Sequence, residues 1–120
     1  MQFAEIPGLT DIKQSLIHAA QEGHIAHAQL FLGPEGSANL AMALAFATYL
    51  NGDQPQPDGS LAEGDATARL QKHIHPDVHH VFPVSATKNI SGKDVISDSY
   101  IREWRSFLQE KPYGNPVDWS

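Results

Sequence analysis

Residues 33–40 read Gly33-Pro34-Glu35-Gly36-Ser37-Ala38-Asn39-Leu40, and their types and spacing come nearest to a defined chemistry in this chain. A loop that binds nucleotide phosphates reads G-x-x-x-x-G-K-[ST]. Its backbone N–H groups cradle the phosphates, its lysine neutralises charge on the outer ones, and its hydroxyl ligates magnesium. The opening glycine is present here, but Ala38 stands at the second glycine, Asn39 at the lysine and Leu40 at the serine or threonine. Asn39 carries no charge, Leu40 offers magnesium no oxygen, and Ala38 adds a Cβ where the backbone favours glycine. Glu35 sets a negative charge beside the phosphate position. A helix beginning after the loop still attracts an anion through its unpaired N–H groups and its dipole, which amounts to weak phosphate or sulfate binding. The motif alone leaves two readings open: a vestigial phosphate loop, or an ordinary strand-to-helix turn.

The histidines are the other candidates. His73, His75, His79 and His80 fall close together in sequence, and neutral imidazoles are common metal ligands. Strand alternation would put His79 and His80 on opposite faces, and the spacing matches no metal motif. Structural or surface roles are therefore favoured, with His75 before Pro76 expected to make a turn hydrogen bond. His24 and His27 flank the start of an apolar run, and His27 is expected to pack or cap there. The chain has no cysteine, which excludes disulfides and thiolate zinc sites. No defensible Ser-His-Asp spacing supports nucleophilic catalysis.

The elements that must position these residues follow from periodicity and punctuation. Thr10–Glu22 reads as a helix capped by Thr10 or Asp11, with Ile12, Leu16, Ile17 and Ala20 on one face and Gly23 as the stop. Ala28–Leu32 is a short apolar run before a glycine loop, as a buried strand would be. Ala38–Leu50 is a strong helix with Ala41, Met42, Ala45, Phe46, Tyr49 and Leu50 apolar. Strand, glycine loop and helix are in the order of a P-loop unit. Residues 51–60 carry turn chemistry, Leu61–Lys72 reads as a weaker helix, and Val78–Val84 as a second strand. That βαβ pattern predicts a right-handed parallel crossover. Ser85–Ser97 is polar and expected to be mobile. Tyr100, Ile101, Trp104, Phe107 and Leu108 recur at helical spacing within Asp98–Glu110, where they are expected to form core. Pro112, Gly114 and Pro116 end that helix. Two strands would both be edges, so the expectation is a portion of a longer protein.

Composition narrows the classes further. The 41% hydrophobic content suffices for a core. The net charge of -6 argues against wrapping a nucleic-acid backbone, which needs clustered Lys and Arg. No run approaches the ~20 apolar residues of a membrane span. The first ten residues lack the basic start and apolar run of a signal peptide. A cytoplasmic protein is expected.

The flanking residues add a resemblance. Phe3-Ala4-Glu5-Ile6-Pro7-Gly8, a first helix and the run from His24 to Ser37 resemble the start of bacterial DNA polymerase III clamp-loader subunits, which are AAA+ proteins, and above all the delta-prime type. His75-Pro76-Asp77 followed by an apolar strand resembles the family's second-strand region. Ile101–Arg105 and Asn115–Trp119 resemble Bacteroidetes-type versions. The resemblance implies an α/β, P-loop NTPase-like (AAA+) three-layer parallel sheet, here present only in part, with about two strands and three to four helices. Residues 1–120 would be its N-terminal portion, with Walker B, sensor, lid and collar elements beyond Ser120. It implies a non-hydrolysing structural subunit of the clamp loader that assists ATP-dependent loading of the sliding clamp. Other loader subunits would be its partners, with the clamp and primed DNA reached indirectly. No cofactor, metal or intrinsic catalysis is expected, although the assembly belongs to a DNA polymerase holoenzyme. Two departures stand out: Asn51–Lys72 lacks the cysteines of a zinc module that relatives often carry there, and Gly8-Leu9 replaces a frequent Gly-Gln. Alternatives remain an active nucleotide-binding ATPase with an unusual loop and a His-rich metal-binding domain.

Overall fold

In the computed structural model, the described residues are 1–34, 36–82, 100–111 and 113. A 3-10 turn at Phe3–Glu5 leads into α1 (Thr10–Gln21), and α2 (Asn39–Asn51), α3 (Asp65–Gln71) and α4 (Ile101–Glu110) follow. The expected mobile stretch Ser85–Ser97, the proline-rich end of α4 and the Asn115–Trp119 segment lie outside the described residues.

Helix α2 is the centre. It buries Ala41, Met42, Leu44, Ala45, Phe46, Thr48 and Tyr49, which is the all-round burial of a helix surrounded by others. Thr48 is tolerated there because its hydroxyl donates to Leu44 O at 2.8 Å. One side of α2 joins Phe3, Ile6 and Ile17 in a first core cluster. The other side presents Leu44 to Phe82, Trp104 and Leu108 in a second. Leu50, expected on the apolar surface, is 40% exposed, and Ile12 of α1 is 50% exposed.

Helix ends differ from expectation in instructive ways. Neither Thr10 nor Asp11 caps α1. The cap position is Leu9, at φ 55, with no side-chain bond, and its carbonyl accepts from Lys13 N–H at 3.0 Å. The far end closes as foreseen: Gly23 N–H reaches Ala20 O and His24 N–H reaches Ala19 O, the paired bonds of a Schellman motif. Helix α3 begins at Asp65 rather than Leu61, because Ala62 N–H is taken by Asp53 O at 2.9 Å and Leu61 packs against the first cluster.

Among the described residues there is no β-strand. Ala28–Leu32 has irregular backbone, as do the described residues of Val78–Val84. A strand exists only through a ladder partner, and no described segment supplies one. Within the first run only Phe31 turns inward, facing Phe46 at 6.4 Å between ring centroids; its neighbours Leu30 and Leu32 are 81% and 82% exposed, and Ala28 and Gln29 are exposed as well.

Candidate functional site

The candidate loop connects this irregular run to the N-terminus of α2. Ser37 N–H donates to Pro34 O at 3.1 Å, closing a turn. Gly36 holds φ +78 within it, a conformation strained for side-chain-bearing residues. Ser37 then folds back: its Oγ donates to Asn39 Oδ1 at 3.3 Å. A Cβ on Gly33 would lie 2.2 Å from that Oγ, so Ser37 rests where only a glycine leaves room. Glu35 lies outside the described residues.

The positions that depart from the phosphate-loop pattern each have a use in the packing. Ala38 sits at φ -85 and ψ 19, so its Cβ meets no glycine-only backbone. It packs against the first core cluster. Leu40, at the magnesium-ligand position, packs against the second. Asn39, at the lysine position, accepts from Ser37. No side chain caps α2, so its first-turn amides keep the partial positive charge of a helix start.

Beside the loop runs a cleft of about 580 Å³ between α1 and the 29–34 segment, with Leu9, Ile12, Leu16, Leu30, Leu32 and Ser37 among its lining. Among the described residues its lining includes no Asp, Glu, Lys, Arg or His. Such walls can bury apolar surface, but the described ones supply no carboxylate, imidazole or ammonium for acid–base work.

The histidines separate into different roles. His75 Nδ1 accepts from Asp77 N–H at 3.1 Å, the turn bond expected of it. His79 is exposed, as are His24 and His27, so His27 does not pack as anticipated. His73 and His80 come together edge to face, with centroids 6.0 Å apart. His73 adopts φ 59 at the end of α3, where its N–H reaches Leu70 O and Ile74 N–H reaches Arg69 O, a second Schellman motif. Burial, reinforced by the Met1 ammonium, His80 and Arg105, pushes the His73 imidazole down to about 4. Burial first, then Arg105 and His79, also lowers His80. Among the described residues, no group of three or more His, Cys, Asp or Glu side chains could hold a metal ion.

A family model described as DNA polymerase III, delta subunit, matches residues 8–118 and so includes the loop, the histidine segment and α4. The chain belongs to that family. A curated relative, Protein STICHEL-like 1 of Arabidopsis thaliana, is 38% identical over 53 residues, which is 44% of this chain and 5% of that protein. The chain therefore spans about a twentieth of the length of that relative. No solved structure matches. Among the described residues, no helix is long and apolar enough to cross a membrane.

In this delta-family chain, sequence reasoning found the loop and missed what the tertiary contacts do with it. The packing roles of Ala38 and Leu40 left no trace beyond their apolar character. Tyr49 was assigned only to an apolar face, yet its hydroxyl donates to Gln56 O at 2.7 Å and accepts from Gln21 Nε2 at 3.0 Å. Arg105, whose Nε donates to His73 O at 2.9 Å, stands in a segment that carries the resemblance but has no role legible from it.

Proposed function

We propose that this chain is the N-terminal portion of a AAA+-like P-loop domain from a delta-prime-type clamp-loader subunit, and that its role there is structural rather than hydrolytic. The observation that carries the reading is the use made of Ala38, Asn39 and Leu40. Two of them fill core clusters and the third bonds to Ser37, so the loop joins elements and lacks the cation and hydroxyl that nucleotide chemistry needs. In this role the subunit sits in a cytoplasmic hetero-oligomer with other loader subunits while they bind ATP, open the sliding clamp and place it on primed DNA.

The side-chain alternation at 30–32 supports the α/β part of the reading. Strands of a parallel sheet are covered on both faces and read as continuous apolar runs. Phe31 meets α2, while Leu30 and Leu32 leave the opposite face open to a further layer.

Equilibrium binding of labelled ATP with magnesium tests the structural role. The expected result is no saturable binding at micromolar concentrations and no turnover, together with co-elution of the protein with partner loader subunits. Micromolar affinity would favour the alternative of an active nucleotide-binding ATPase and sink the structural reading.

A further inference from the structure

Helix α4 is tied to the end of α3 by polar bonds that converge on one place. Arg105 Nε donates to His73 O at 2.9 Å, and Gln109 Nε2 donates to Gln71 O at 3.2 Å. Gln71 O is a carbonyl of the last turn of α3, and His73 O belongs to the left-handed residue that closes it, so both bonds fasten α4 to the end of that helix. The adjoining bond differs in kind. Trp104 Nε1–H donates to His80 Nδ1 at 3.0 Å. An indole nitrogen only donates, so the imidazole nitrogen facing it must carry a lone pair. That requirement selects the neutral Nε2–H tautomer of His80.

We propose that His80 and His73 form an acid-sensitive latch at the α3–α4 seam, which holds α4 in place only while both imidazoles are neutral. A proton on His80 Nδ1 sets a donor against the Trp104 donor and adds a cation beside Arg105. A proton on His73 adds another between the Met1 ammonium, Arg105 and His80. Among the described residues, the charged and titratable groups acting on the pair from the neighbouring elements are Met1 from the N-terminal turn, Arg105 from α4, and His79 beside His80. Glu5, the carboxylate in the neighbourhood, acts on the Met1 ammonium and accepts from Gln71 Nε2 at 3.1 Å.

The direction of the pH effect follows from which state binds more protons. Both histidines hold protons less tightly when folded than the ordinary 6.5, His73 at about 4. Their contribution is complete above 6.5, declines as pH falls from there towards 4, and changes no further once both are charged. The first core cluster of Phe3, Ile6, Ile17, Met42, Phe46 and Tyr49 contains no imidazole or carboxylate. Acid therefore loosens α4 before it loosens α1 and α2.

The test uses the full chain with Trp119→Phe, which leaves Trp104 as the remaining tryptophan. Its emission is followed from about pH 8 to about pH 3.5 together with the methyl resonances of Ile6 and Ile17. The expected result is a red shift of Trp104 between 6.5 and 4 while the isoleucine methyls stay native. In His80→Gln the amide oxygen accepts the indole proton without titrating, so the midpoint falls by about one pH unit. Superimposable curves for parent and variant would overturn the proposal, as would Trp104 and isoleucine signals that move together. Imidazole nitrogen shifts of the parent chain near neutral pH decide the matter even if His80→Gln fails to fold. An unprotonated Nδ1 on His80 is expected, and the opposite tautomer refutes the latch.

Discussion

Asp53 and Thr67 hold one another by reciprocal bonds: Asp53 N–H donates to Thr67 Oγ1 at 3.0 Å, and Thr67 N–H donates to Asp53 Oδ2 at 2.9 Å. Thr67 is in the first turn of α3, whose cap residue Gly64 has no side chain to offer. Asp53 therefore caps the helix from outside it. The close approach requires that glycine, because a Cβ on Gly64 would lie 2.4 Å from Asp53 Oδ2. The bonded pair ties the 51–64 connection, where a zinc module was expected to be lacking, to the helix that follows it.

Removing either partner costs stability. Asp53→Ala and Thr67→Ala are each expected to cost about 1–2 kcal/mol, the range of a lost helix cap. The double variant should cost less than the sum, with a coupling of about 1 kcal/mol. Urea unfolding of the four proteins in the cycle measures this, and strict additivity would show that the bonds contribute nothing.

The loop substitutions should behave as packing residues. Leu40→Ser removes an aliphatic group from the second core cluster and is expected to cost about 1–2 kcal/mol. Asn39→Lys places a cation at the start of α2 and is expected to cost about 0.5 kcal/mol. Thermal unfolding reads both. A Leu40→Ser protein as stable as the parent would mean that this side chain was not spent on the core.

Tyr49 links α1, α2 and the 54–60 connection through its hydroxyl. Tyr49→Phe keeps the ring against Phe3, whose centroid lies 5.8 Å away, leaves Gln56 O with only the Gly59 N–H as donor, and leaves Gln21 Nε2 without its acceptor. A loss of about 1–2 kcal/mol is expected, with faster amide exchange confined to the 54–60 connection. Uniformly faster exchange would contradict a local role.

Phe82 stacks on Trp104 at 4.5 Å with the planes 8° apart. Phe82→Ala empties part of the second cluster and is expected to cost about 3 kcal/mol. Helix α4 should lose its protection from hydrogen exchange while α1 and α2 retain theirs. Equal losses in all helices would show that the two clusters unfold as one unit.

Much of this molecule was legible as pattern. Ile17 with Leu16 and Ala20, the apolar run of α2, Gly23 as a stop and the Trp104–Leu108 spacing are local signals, since a helix repeats its face every few residues. Boundaries were less legible where distant partners intervened. The connection before α3 is held by Asp53 and the packing of Leu61, and no local signal marks either contact. The strand reading of 28–32 rested on a short apolar run before a glycine loop, whereas a ladder depends on another segment that local pattern cannot supply.

At the candidate site, the residue types alone determined that no lysine and no hydroxyl stand at positions 39 and 40. Only the tertiary structure decided what replaced them. It set Ala38 on one core cluster and Leu40 on the other, closed Ser37 over Gly33, and paired His73 with His80 beneath Trp104. The physical reason is the reach of the forces involved. Turn and helix preferences act within a few residues of chain and can be read in order, whereas burial and hydrogen bonding join residues that folding alone makes neighbours.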